Sequence, residues 1–190
     1  MASAEYDLQF LKAGIDQLES YLLSNDIYRP IGIRAAAGET PYPQLTLGWL
    51  LLSHLKTQNT SVSSDQKREL DHLSEQLESV HSRWRAAWGT KAKSEFHARL
   101  NLWRDFLEDY RKHPRENGDR YAYEINRRVL LDLLQTEADN LPSSDLEMLD
   151  GLDRLLRSVF DPGDFVWETV FMVSFPKRTY WYLYGKLKQR

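Results

Sequence analysis

The sequence contains no cysteine. A chain without cysteine cannot form a disulfide framework, a thiolate nucleophile or a zinc site built on sulfur. This absence excludes the small disulfide-stapled scaffolds and the cysteine-dependent enzymes. It also suits a reducing compartment, so we expect a cytoplasmic protein.

Long apolar runs are missing as well. One of the longest, Leu50 to Leu52 with Trp49 beside it, is far shorter than the roughly 20 residues that a membrane-spanning helix needs. Residues 1–11 mix acidic and apolar side chains and lack the basic stretch and apolar run of a secretory signal. The sequence therefore predicts neither secretion nor a membrane span.

An excess of one charge is also absent. The 25 basic and 28 acidic side chains are interspersed and leave a formal net charge of -3, which provides no overall field to attract nucleic acid or an anionic membrane. With 42% hydrophobic and 28% charged residues, the composition is that of a folded globular protein. We expect one helical domain over 1–190, with a β-like excursion at 27–45 and an aromatic, basic tail at 163–190.

The nine glycines are scattered and form neither a phosphate-binding loop nor a strained turn around a nucleophilic serine. Any catalytic acid or base would have to be assembled from residues far apart in the chain. The sequence therefore predicts no catalytic residue, no metal ligand and no cofactor.

Apolar residues recurring at spacings of three and four predict a mainly α-helical fold. The first two amphipathic helices cover about 5–23 and 47–58, with Thr46 as the N-cap of the second. A capping box at Ser144 and Glu147, in which each side chain accepts from the other's backbone, predicts the start of a later helix.

Between these helices lie two stricter apolar stripes: Leu70, Leu73, Leu77, Val80 and Trp84, followed by Phe96, Leu100, Trp103, Leu107 and Tyr110. At about 100° per residue the second stripe is rotated by roughly 130° from the first, so one straight helix cannot present both to the same partner. A turn at Gly89 and Thr90 would make an antiparallel, coiled-coil-like hairpin within a helical bundle. The alternative is one long helix that changes partner midway.

The segment 27–45 is rich in proline and glycine and contains alternating Ile31 and Ile33. This pattern favours a small, irregular β-hairpin. Its second arm holds Pro41 and Pro43, which cannot donate to a strand ladder, so we expect an edge strand or merely extended chain there.

Two Glu-x-x-His pairs, Glu69 with His72 and Glu78 with His81, match a local motif of di-metal helical bundles. Both lie on one predicted helix with the histidines roughly opposite in angle, so they cannot close on one metal. His54, near the apolar side of helix 47–58, is the fairer candidate for an inward ligand. It carries the alternative hypothesis of a metal-dependent helical-bundle enzyme.

Basic and aromatic residues coincide after residue 163, where Phe175 and Pro176 are expected to start a short helix. The tail either covers the helices as a lid, which is the favoured interpretation, or offers incompletely buried rings as a docking site. The candidate partner-binding residues are Trp167, Lys177, Arg178, Tyr180, Trp181, Tyr182 and Tyr184.

We therefore predict a non-catalytic protein-protein interaction or scaffolding protein that binds a protein partner or self-associates. Arginines next to tryptophans, as at Arg83 and Trp84 and again at Trp103 and Arg104, could stack on nucleic-acid bases. We give nucleic-acid binding the least weight, because both tryptophans belong to apolar seams and should point inward.

Overall fold

The computed structural model describes residues 4–58 and 63–188 and is mainly helical, which confirms the mainly α-helical character expected from the sequence. The helices are α1 (Ala4–Leu22), α2 (Leu47–Gln58), α3 (Ser64–Arg83), α4 (Arg85–Lys112), α5 (Pro114–Asn117), α6 (Tyr121–Glu124), α7 (Asn126–Glu137) and α8 (Ser143–Val159). Among the described residues, none of the helices combines the length and the apolar character needed to cross a bilayer.

The buried apolar side chains form one contiguous cluster. Helix α4 packs most extensively against α7, whereas α1 packs against α2 and α3. The large rings of Trp88 and Trp103 lie at the centre of this arrangement with almost no exposed surface. Burying a side chain of leucine size contributes about 1.5–3 kcal/mol, so the three-four pattern of apolar residues explains why these helices pack together.

The turn predicted at Gly89 is wrong, because Gly89 lies inside α4. The helix breaks instead at Trp84, which lies between the end of α3 and the start of α4. Its φ of -110° and ψ of 27° are not helical. A Cβ at position 89 would lie too close to the carboxylate of Asp139, so the Asp139 side chain would have to move to admit any other residue.

The expected antiparallel hairpin is also wrong. Helix α3 packs mainly against α1, and α4 packs mainly against α7, so the two apolar stripes cover other helices and not each other. The observed arrangement matches the alternative of a nearly continuous helix that changes partner, with a one-residue break in place of a turn.

The β-hairpin predicted over 27–45 is reduced to a single bridge. Arg29 N donates to the carbonyl of Leu45 at 3.1 Å, and Leu45 N donates to the carbonyl of Arg29 at 2.7 Å. The ladder does not extend because Pro30, Pro41 and Pro43 have no N–H to donate.

An antiparallel sheet forms elsewhere, between β1 (Phe160–Phe165) and β2 (Tyr184–Leu187), with a bulge after Pro162. Asp161, Pro162 and Gly163 are residue types typical of a turn, but here they are part of a strand. Gly185 has a φ of +152°, and a Cβ there would collide with backbone of the opposite strand, so only glycine suits this position.

The predicted capping box at Ser144 does not form. Helix α8 starts at Ser143 with Pro142 as its N-cap, and no side chain caps it. The helix begins early enough to place Ser144 within its first turn, where its hydroxyl is no longer at the capping position. A capping box exists at the start of α3, where Gln66 N donates to Ser63 Oγ at 3.2 Å and Ser63 N donates to Gln66 Oε1 at 3.0 Å.

Candidate docking surface

The aromatic tail folds back onto the helices as a layer of interlocked rings. Phe175 is fully buried and takes edge contacts from Trp167 and Tyr180, at centroid separations of 5.1 Å and 5.0 Å. Such edge-to-face pairs add about 0.5–1.5 kcal/mol each beyond simple burial. The helix expected to start at Phe175 is absent, and the segment instead contains a short 3-10 turn at Trp181–Leu183.

Two of the predicted partner-binding residues lie inside the fold. Tyr182 is buried and its hydroxyl donates to Asp132, while the hydroxyl of Tyr184 donates to the carbonyl of Phe175 at 2.8 Å. Burial raises the pKa of Tyr182 well above its usual value, so this hydroxyl remains a donor. Neither ring is presented to a partner in this conformation.

The other five predicted residues reach the surface to different degrees. Trp167, Tyr180 and Trp181 are half-buried by their ring contacts, whereas Lys177 and Arg178 are exposed. The ammonium of Lys177 lies 5.6 Å above the ring of Tyr184. The fully exposed residues among these five are therefore the two basic ones.

Sequence reasoning missed the apolar residues just before these charges. A 3-10 turn at Thr169–Val173 leaves Val170 and Met172 42% and 41% exposed, and Val173 78% exposed. Phe171, in the middle of the turn, is buried. The available signal was the apolar run from Val170 to Val173, whose members cannot all face one narrow side of a short turn.

This turn is fixed to the end of α2. The ammonium of Lys56 lies 5.4 Å from the centroid of the Trp167 ring and 5.0 Å from that of Phe171. A cation over an aromatic face contributes about 0.5–2 kcal/mol, depending on how well it is shielded from water. The turn that carries the exposed apolar side chains is therefore held against α2.

We call Val170, Met172, Val173, Lys177 and Arg178 the docking surface. It consists of an exposed apolar tip and of two exposed cationic side chains that follow it closely in the chain. Exposed apolar residues that cluster in this way mark interaction sites more often than single exposed leucines do.

The histidine of the metal hypothesis is engaged in a contact between helices. His54 Nε2 lies 2.8 Å from Ser74 Oγ and 3.3 Å from Gln58 Nε2, which links α2 to α3. Over 4–58 and 63–188, no group of three or more histidine, aspartate or glutamate side chains is placed to hold a metal ion. The metal-dependent enzyme stays a hypothesis with one candidate ligand, which is already hydrogen-bonded.

His54 makes the stability pH-dependent. Burial lowers its pKa below the usual 6.5, so the unfolded chain takes up a proton at a higher pH than the folded chain. The contribution of neutral His54 to the free energy of unfolding is therefore fully present above about pH 6.5. It decreases as the pH falls towards the folded-state pKa. We expect the melting temperature to fall more between pH 7.5 and 5.5 in the wild type than in a His54→Gln variant.

The matched control for this measurement is His72→Gln, which changes an exposed histidine of α3 and should behave as the wild type does. Equal losses of melting temperature in the wild type and in His54→Gln would contradict the assignment to His54.

The arginines next to the tryptophans pair with nearby carboxylates. Arg83 Nη1 lies 2.8 Å from Glu19 Oε1, and Arg104 Nη2 lies 2.9 Å from Asp105 Oδ1. Trp103 is fully buried and offers no face for a base to stack on. Nothing in this pattern favours nucleic acid as the partner.

No protein-family model matches the sequence, and neither a curated protein nor a solved structure matches it.

Proposed function

We propose that this chain is a protein-protein interaction protein that binds its partner through the docking surface. The observation that carries the proposal is the 78% exposure of Val173 at the tip of a turn whose base is buried. Exposing an apolar tip to water is unfavourable, and association with a partner would remove that cost. The contiguous core supports a single domain carrying this surface, and the lack of cysteine supports a cytoplasmic setting.

Anchoring of the turn favours binding. Phe171 and the Lys56 cation hold the backbone from which Val170 and Met172 project. A surface that is ordered before association loses less conformational entropy on binding than a flexible one does. We therefore expect the docking surface to bind as a rigid unit.

The charges define the chemistry of the partner. Lys177 and Arg178 are exposed and follow Val173 by four and five residues in the chain, and a matching surface would place carboxylates opposite them. We infer a protein with an apolar pocket for Val173, rimmed by aspartate or glutamate. Apolar centres with polar rims are the usual anatomy of such interfaces.

The test changes the tip and measures affinity. We expect Val173→Asp to weaken binding of the purified partner at least about 10-fold, because truncating or charging a central buried contact costs more than about 1.4 kcal/mol. The partner is first captured from native lysate by the full chain and then measured by calorimetry. The reversal Lys177→Glu with Arg178→Glu should also weaken binding and should reverse its dependence on salt, because salt then screens a repulsion between like charges.

The matched control is Tyr123→Asp, since Tyr123 is 74% exposed but lies on α6, outside the docking surface. Equal affinities of Val173→Asp and Tyr123→Asp would overturn the proposal. A concentration-dependent dimer abolished by Val173→Asp would replace the separate partner with a second copy of this chain. If no protein is captured, and if the wild type binds phosphatidylserine vesicles while Val173→Asp does not, the docking surface would be assigned to a membrane.

A further inference from the structure

A groove of about 650 Å³ lies between α4 and the connection from α7 to α8. Thr90, Lys93, Ser94 and His97 line it from α4. Its volume falls within the roughly 300–1,000 Å³ of small-molecule sites. The docking surface contributes no residue to it.

A histidine and a carboxylate meet at this groove. His97 Nδ1 lies 3.0 Å from Asp145 Oδ2, and the two side chains are 60% and 6% exposed. The buried carboxylate favours the tautomer in which Nδ1 carries the proton and donates it to Asp145. Nε2 of His97 is then left with a lone pair to accept a proton.

Several contacts of the backbone fix this pair in place. Asp139 packs directly against Gly89, and Asn140 has a φ of 50°, a left-handed conformation that turns the chain sharply into α8. Asp145 occupies the first turn of α8. The carboxylate therefore meets His97 without a long, flexible connection, as expected of a site that is organised before its ligand arrives.

Ser94 does not complete a nucleophilic triad. Its hydroxyl donates to the carbonyl of Thr90 at 3.0 Å, within α4. The groove thus offers a base without an activated serine, and water is the remaining nucleophile.

We propose that His97, oriented by Asp145, is a general base that activates water for the hydrolysis of small esters bound in this groove. The water oxygen bonds to the carbonyl carbon while its proton moves to Nε2. The tetrahedral anion then expels the alcohol oxygen, which takes the proton from Nε2, so an acid and an alcohol leave and His97 is neutral again. Lys93 supplies positive charge for the developing oxyanion.

Ile27 and Pro142 add apolar walls to the groove, which suits a short acyl group more than a highly charged substrate. The activity is separate from docking. A chain altered at Val173 should retain it in full.

The test uses p-nitrophenyl acetate with the full chain. We expect His97→Gln to lower the rate above the buffer blank at least about 10-fold, since general-base contributions are typically 10²–10⁴-fold. We expect Asp145→Asn to lower kcat and to change the pH profile, because the imidazole loses the group that fixes its tautomer.

The control is His72→Gln, which removes an exposed histidine of α3 and should leave the rate unchanged. A further variant, Ser94→Phe, fills the groove while keeping the dyad, and it should raise KM. Circular dichroism establishes that each variant is folded. Equal rates for wild type, His97→Gln and His72→Gln would overturn the proposal and leave the pair as a link between two helices. Should Asp145→Asn unfold, the exposed His97 variant still decides the outcome.

Discussion

Replacing Arg128 with methionine is expected to lower the free energy of unfolding by about 3–5 kcal/mol, because it leaves partly buried carboxylates without their partner. Arg128 Nε and Nη2 each lie 2.8 Å from an oxygen of Asp153, and Nη1 pairs with Asp132. The guanidinium also lies 4.8 Å from the centroid of the Tyr182 ring. One side chain thus joins α7, α8 and the aromatic tail.

The matched control is Arg154→Met. Arg154 pairs with Asp150 on α8, but these side chains are 72% and 65% exposed, and such surface pairs contribute less than about 1 kcal/mol. Chemical denaturation of both variants measures the difference. Similar midpoints for the two variants would mean that the Arg128 cluster contributes no more than a surface pair.

A comparable loss, also about 3–5 kcal/mol, is expected from Glu95→Leu. Glu95 is fully buried, and it accepts from Arg99 Nε at 2.6 Å and from Gly48 N at 3.0 Å. Removing the carboxylate leaves a buried guanidinium with Thr46 Oγ1, at 2.8 Å, as its remaining hydrogen-bond partner. The first turn of α2 also loses an acceptor for one of its N–H groups.

The double variant Glu95→Leu with Arg99→Met separates the two causes. Apolar side chains of similar size can replace a buried ion pair at little cost, so we expect the double variant to recover most of the lost stability. A double-mutant cycle gives the coupling energy between the two positions. A double variant that is less stable than Glu95→Leu alone would show that Arg99 does not depend on Glu95 for compensation.

Local patterns determined the helices and their apolar faces. Leu70, Leu73 and Leu77 keep a spacing that places them on one side of a helix, and all three are buried. That inference needs no knowledge of the partner, since burial on one face follows from helical periodicity. The identity of the covering helix does not follow from it, which is why the hairpin prediction was wrong.

Glycine and proline were harder to interpret from the sequence. Gly89 was predicted to form a turn because glycine adopts backbone conformations that other residues disfavour. Here it lies in a helix, and its missing side chain leaves room for the carboxylate of Asp139. Pro162 and Gly163 resembled a turn as well, yet they lie in a bulged strand. Both residues act through contacts that the local sequence does not contain.

The candidate sites follow the same division. Basic and aromatic composition predicted an interaction site in the tail. Only tertiary packing decided that Tyr182 is buried while Val173 is exposed. His97 and Asp145 are 48 residues apart and carry no shared motif. The sequence by itself determined where the main amphipathic helices form, because helix propensity and apolar spacing are local properties. The tertiary structure alone decided which side chains meet, because those contacts depend on how all the helices pack at once.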